Sequence, residues 1–305
     1  MVWLFLIVLG PVVAGIILAL AWWAFLGRKR QQRGGGVSAF SMAAGLLLGV
    51  GGVFVLLFGS PLLPFQLPRE YWYWYQEYRF TAPLLLGILG MVLLAFPVQS
   101  RSGRGTADLI PRTPLSFARG WWFVAPALLL ALILTVTVTA GVASQPDPST
   151  GRYTMYLVDL GGERQMGASI YGWYNSIPSL ILMAVMLIFA IVNLVLIARP
   201  ALVHDREEDV RIRIFRTRNV LAIGTSALLT HLGFILGSLA GTASIRSSFR
   251  TSEGSVTFWT TFAGLQPIFV GASAVAAALG FALCVAVALA AIPSRRWAPA
   301  KVSTR

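Results

Sequence analysis

Residues 220–243 read VLAIGTSALLTHLGFILGSLAGTA, twenty-four in a row without an Asp, Glu, Lys or Arg. As a helix rising 1.5 Å per residue this run covers about 36 Å, more than the roughly 30 Å of a bilayer's hydrocarbon core. Six further uncharged runs occur, at about 3–26, 40–59, 81–98, 121–143, 177–198 and 267–292, the third being the shortest. All 35 charged side chains of the 305 residues fall outside these runs. A chain with 57% hydrophobic and only 11% charged residues is no ordinary soluble domain, since globular chains carry about 25% charged residues. The pattern predicts an all-α integral membrane protein, one polytopic domain over 1–305 with seven transmembrane helices.

Charge then sets the orientation. Alternating the seven spans puts 18 Lys and Arg with five acids on one side, from Arg28, Lys29 and Arg30 to Arg295, Arg296, Lys301 and Arg305. The other side has six basic and six acidic residues and nets zero. Short loops rich in Lys and Arg stay in the cytoplasm, so the N-terminus is expected outside and the C-terminus inside. Met1-Val2-Trp3 has no basic n-region before the first run, so that run is expected to remain as a helix rather than to be cleaved as a signal peptide. All ten tryptophans lie at or just beyond span ends, where interfacial indoles belong. The expected setting is a bacterial-type plasma membrane. The net charge of +13 sits beside membrane ends, where it explains topology and attracts anionic lipid, and does not point to nucleic acid.

Between the spans, three segments stand out. Tyr71-Trp72-Tyr73-Trp74-Tyr75 forms either an aromatic belt on the outer leaflet or a cation–π platform. Residues 153–170 alternate and carry a Gly161-Gly162 turn, which predicts a small extracellular β-hairpin. On the inner side, Asp205, Glu207, Glu208, Asp209, Arg211 and Arg213 make a charged segment that suits docking of a soluble subunit. In a helix, Glu207–Arg211 and Asp209–Arg213 would be i,i+4 pairs in the favourable order, while the alternation of Val210, Ile212 and Ile214 would also suit a strand.

Within the spans the one ionisable side chain besides Cys284 is His231, near mid-membrane. Such a residue is either a hydrogen-bonded packing histidine or part of a functional polar site, with Asn193 and Thr135, Thr137 or Thr139 as partners. Gly233, Gly237 and Gly241 recur every fourth residue and predict a close helix-packing stripe. Cys284 stands alone, so no internal disulfide can form, and two histidines with one cysteine make no convincing metal site. The only lysines, Lys29 and Lys301, lie outside the spans, against a retinal Schiff base. There is no P-loop, no His-Glu-x-x-His and no Gly-x-Ser-Gly. The expectation is a non-enzymatic accessory or sensing component of a membrane complex, without a cofactor. Its partners would be the bilayer, a soluble cytoplasmic subunit such as a transport ATPase, and other copies or chains in an oligomer. The alternative is a permease for a neutral or lipophilic small solute, with spans 1–3 and 4–6 as inverted halves.

Overall fold

The computed structural model describes residues 2–27, 36–59, 68–96, 113, 116–161, 164–199, 206–251 and 254–292. Among the described residues eight α-helices run in chain order: α1 (Val2–Trp22, its last turn widening to a π-helix over Trp23–Gly27), α2 (Gly36–Phe58), α3 (Arg69–Tyr78), α4 (Ala82–Ala95), α5 (Trp121–Val142), α6 (Trp173–Ala198), α7 (Arg206–Ala243) and α8 (Gln266–Ala290). Six of them are long and apolar enough to cross a membrane singly, and α3 with α4 makes a seventh span if taken together. The chain is therefore a multi-pass membrane protein in its helical architecture.

α7 is the hub. It is 78% buried along its apolar stretch, whereas the other five long helices are only 17–33% buried. Exposed aliphatic residues on the outer helices, such as Ile177, Ile181, Ile188 and Ile191 on α6, face outward where lipid replaces water as the solvent. Small residues let the backbones close in. A Cβ on Gly15 of α1 would stand 2.6 Å from the Ala278 carbonyl oxygen of α8, and one on Gly45 of α2 would stand 2.6 Å from that of Cys284. Across the α7–α8 seam, Ser226 Oγ donates to Gly280 O (2.6 Å) and Ser273 Oγ donates to Gly233 O (2.8 Å). Cys284 is a free thiol buried in this packing.

The expected hairpin is present. β2 (Tyr153–Gly161) pairs antiparallel with β3 (Arg164–Ser169), with Met155 opposite Ser169 and Asp159 opposite Gln165. The short β1 (Gln145–Pro146) adds to the β2 edge. Of the expected turn, Gly161 closes β2 and Gly162 lies outside the described residues.

Three features depart from the sequence reading. A second antiparallel hairpin, β4 (Arg246–Thr251) with β5 (Gly254–Trp259), follows α7. By register Phe249, Val256 and Phe258 share one face, but each strand has only six residues and β4 a single hydrophobic one, too brief an alternation to stand out; on the other face Ser248 and Thr257 meet at 3.0 Å. The third span is shorter than 81–98: α4 has 14 residues and meets α3 at a 69° bend. It ends where Phe96 turns extended, as the residue before Pro97 must avoid the α region. The aromatic stretch before it is helical, started by Pro68 and favoured by Glu70 in the first turn. We refer to the side carrying both hairpins as the hairpin end and to the opposite side as the basic end.

Candidate functional site

His231, fully buried on α7, puts Nδ1 2.8 Å from the carbonyl oxygen of Phe80, in the turn that joins α3 to α4. A carbonyl only accepts, so Nδ1 carries the proton and Nε2 is left as an acceptor, with no hydrogen-bond partner among the described residues. The contact pins the α3–α4 bend to the hub. Phe80 in turn packs on Tyr171 (ring centroids 4.7 Å apart) and lies under the Arg79 guanidinium at 4.6 Å, and Tyr171 meets the His231 ring edge-on.

Tyr171, in the short link between β3 and α6, is the largest fully buried side chain among the described residues. Its hydroxyl approaches those of Thr137 on α5 and Ser176 and Ser179 on α6. Among the described residues, the Tyr171, Thr137 and Ser176 hydroxyls close no hydrogen bond of normal geometry. Ser179 Oγ donates to Asn175 O at 2.9 Å. A cluster of buried hydroxyls therefore sits between α5 and α6 beside the hub histidine. Of the three threonines considered as partners for His231, only Thr137 points inward; Thr135 and Thr139 are exposed and bond their own helix at Ala131 O and Thr135 O. The 100° step of a helix forces that split.

Asn193 does not join this cluster. Its Nδ2 donates to Met91 O (3.2 Å) and Phe189 O (2.9 Å), tying α6 to the far part of α4. Phe80 and Met91 are eleven residues apart, about 16 Å along a helix, so His231 and Asn193 hold opposite ends of α4 and do not form one site.

At the basic end, the segment of interest is the first turns of α7. Asp205 lies outside the described residues. The Asp209–Arg213 pair forms as an i,i+4 contact (Nε–Oδ2 2.8 Å), but the two residues are only 5% and 4% exposed. Arg213 also donates through Nη1 to the carbonyls of Ile197 and Arg199, and its guanidinium lies 5.5 Å over the Phe117 ring. Arg216 Nη2 donates to Leu94 O and Ala95 O, both at 3.3 Å. Two arginines thus close the C-terminal carbonyls of α6 and α4, where cations are favoured by the helix dipole. Asp209 and Arg213 are internal, so a docking surface here consists of the exposed Glu207 and Arg211 with the half-exposed Glu208.

The five aromatics are on α3, and four 100° steps carry them around the whole axis. Tyr75 is buried and lies against Gly59 at the end of α2, while Trp72, Tyr73 and Trp74 are exposed. One flat five-ring platform does not form. Close by, Tyr174 on α6 donates to Glu77 Oε1 of α3, and Arg152 lies 4.0 Å from the same carboxylate and 4.3 Å over the Tyr174 ring. Along the packing stripe, a Cβ on Gly233 or Gly237 would stand 3.4 Å from Ser273 of α8, whereas one on Gly241 would meet nothing within 4 Å. Among the described residues no three His, Cys, Asp or Glu side chains converge to hold a metal ion.

Sequence reasoning missed Tyr171, Ser176, Ser179 and the Glu77–Tyr174–Arg152 contact. Hydroxyls at span ends carry no periodic signal, and Glu77 lies 97 positions from Tyr174 and 75 from Arg152, a meeting that only the fold reveals. Compared with protein-family models, curated proteins and solved structures, the chain matches none.

Proposed function

We propose that this protein is a non-enzymatic accessory or sensing component of a membrane complex, in which α7 carries a conformational signal between the two faces of the bilayer. The observation behind this reading is the length and anchoring of α7. Its 38 residues extend about 57 Å, beyond the 40–45 Å of a bilayer with its headgroups. At the hairpin end, Thr242 Oγ1 donates to Ser169 O of β3 (2.6 Å), and Thr260 Oγ1, just after β5, donates to Ala243 O (3.2 Å). At the other end the same helix presents Glu207 and Arg211 and clamps α4 and α6 through Arg216 and Arg213. One unbroken rod therefore joins both hairpins to a charged turn.

By the positive-inside rule the basic end is cytoplasmic, and the membrane is a bacterial-type plasma membrane. Movement at the hairpins would reach a soluble cytoplasmic subunit through Glu207, Glu208 and Arg211. The permease reading has less support, because its two polar side chains hold opposite ends of α4.

The test is affinity isolation of the full chain in mild detergent. A stoichiometric partner should be recovered with the native protein and lost with Glu207→Lys/Arg211→Glu, whose fold is checked by tryptophan fluorescence. Recovery of the bare chain alone, or of the same partner with the variant, removes the reading.

A further inference from the structure

Among the described residues, α1 and α2 both lean on α8 and touch each other only sparsely, which leaves a groove between them with α8 as its floor. Glycines set this arrangement: Gly15 brings α1 onto Ala278, Gly45 brings α2 onto Cys284, and Gly52 lies against the Phe281 ring. α2 therefore runs antiparallel to α8. The groove holds about 390 Å³, and none of the side chains that line it carries a nitrogen or oxygen. It starts at Met42 and Ile292, at the basic end, and reaches Val12, Val53 and Phe281 near the middle of the bundle. Met42 to Val53 is eleven helical steps, about 16 Å, which matches one leaflet of a hydrocarbon core about 30 Å thick.

We propose that this groove binds one acyl chain of an anionic phospholipid from the leaflet at the basic end. Left empty, it would deprive its lining atoms of contacts on one side, and the fluid around a membrane helix is lipid. Size decides between a chain and a helix as the occupant. A volume of 390 Å³ spread over about 16 Å gives a section of about 24 Å², a channel about 5 Å across. A helix with its side chains is about 10 Å across, so a helix of a second copy does not seat in it. An extended hydrocarbon chain, with carbon contacts at about 4 Å, does. Charge selects the headgroup. The sequence that continues from the same end of the three walls carries Arg28, Lys29, Arg30, Arg33, Arg295 and Arg296, and residues 27–36 and 291–305 contain no Asp or Glu. That end attracts an anionic headgroup.

Native mass spectrometry of the full chain tests this, with release from nanodiscs of equal parts dioleoyl phosphatidylglycerol and dioleoyl phosphatidylcholine. The unaltered protein should keep one phospholipid after the rest are stripped, and phosphatidylglycerol should exceed phosphatidylcholine several-fold. Val285→Trp on the floor and Leu46→Trp on the α2 wall each put an indole into the groove and should lower the retained lipid several-fold. Ile188→Trp, exposed on α6 outside the groove, should keep it. A bare chain, equal retention of the two lipids, or unchanged retention in either groove variant overturns the proposal. So does a dimer that Val285→Trp dissociates, which would give the groove to a second copy. The first two outcomes are read on the unaltered protein and stand even if a variant fails to fold.

Discussion

Replacing Asp209 with Ala leaves Arg213 charged, buried and stripped of its only described acid. Removing one partner of a buried pair costs about 3–5 kcal/mol. Arg213 is 4% exposed and holds its Nε on Asp209 at 2.8 Å, so the pair qualifies as buried. Its Nη1 keeps the Ile197 and Arg199 carbonyls, which offsets part of the loss; the expected cost is about 2–4 kcal/mol. Arg213→Met should cost at least as much, because it orphans those two carbonyls as well. The double variant should then be no worse than Arg213→Met alone, so the coupling in a double-mutant cycle equals at least the Asp209→Ala cost, about 2–4 kcal/mol. Reversible unfolding in mixed micelles, followed by tryptophan fluorescence, measures all four corners. A single-variant cost under about 0.5 kcal/mol, as for an ordinary surface position, or strict additivity in the cycle, would refute the argument.

Three other substitutions probe different parts of the molecule. Gly45→Ala places a methyl 2.6 Å from the Cys284 carbonyl oxygen and forces α2 from α8; a loss of about 1–3 kcal/mol is expected, and an unchanged midpoint in the same unfolding assay would contradict the close approach. His231→Leu deprives the Phe80 carbonyl of its buried donor and should cost about 1–3 kcal/mol, with faster amide exchange around residues 79–85; unchanged exchange there would show that the α3–α4 bend holds without it. Asp147, half-buried at the hairpin end, has its carboxyl held below the usual range by hydrogen bonds from the Ser149 hydroxyl and backbone N–H. A depressed acid stabilises its turn above the unfolded pKa, and that contribution fades as pH falls through the lower folded value. Exchange of the Ser149 amide should therefore gain extra protection with rising pH across the acid range, an effect absent in Asp147→Ala.

Six of the seven spans could be read directly, because uncharged runs longer than a bilayer have no other common use. The third resisted for a local reason: hydropathy does not register that Phe96 precedes Pro97, nor that Arg79–Phe80–Thr81 breaks the helix before it. The Asp209–Arg213 pair followed from i,i+4 spacing. Its burial did not, since burial depends on the ends of α4 and α6 arriving beside it. His231 drew attention by its type, while its neighbours Tyr171, Thr137 and Ser176 come from three separate elements. Polar residues that meet only through tertiary packing leave no period to detect. The second hairpin escaped because its strands are only six residues long and Phe249 is the one hydrophobic residue of β4, so the alternation is too short to stand out.

The short α4 has a consequence for the surrounding lipid. It covers about 21 Å of a hydrocarbon core of about 30 Å, so the turn at Phe80 lies well short of the full thickness. From there α3 departs at 69°, with Trp72, Tyr73 and Trp74 exposed. Exposed indoles and phenols partition to headgroup level. The ten residues of α3 thus run at a steep angle to α4 and carry their exposed rings off its axis. The α3–α4 pair is unlike the other six membrane segments, each of which is long and apolar enough to cross alone, and any lipid that fills the height α4 leaves uncovered has to meet the exposed rings of α3.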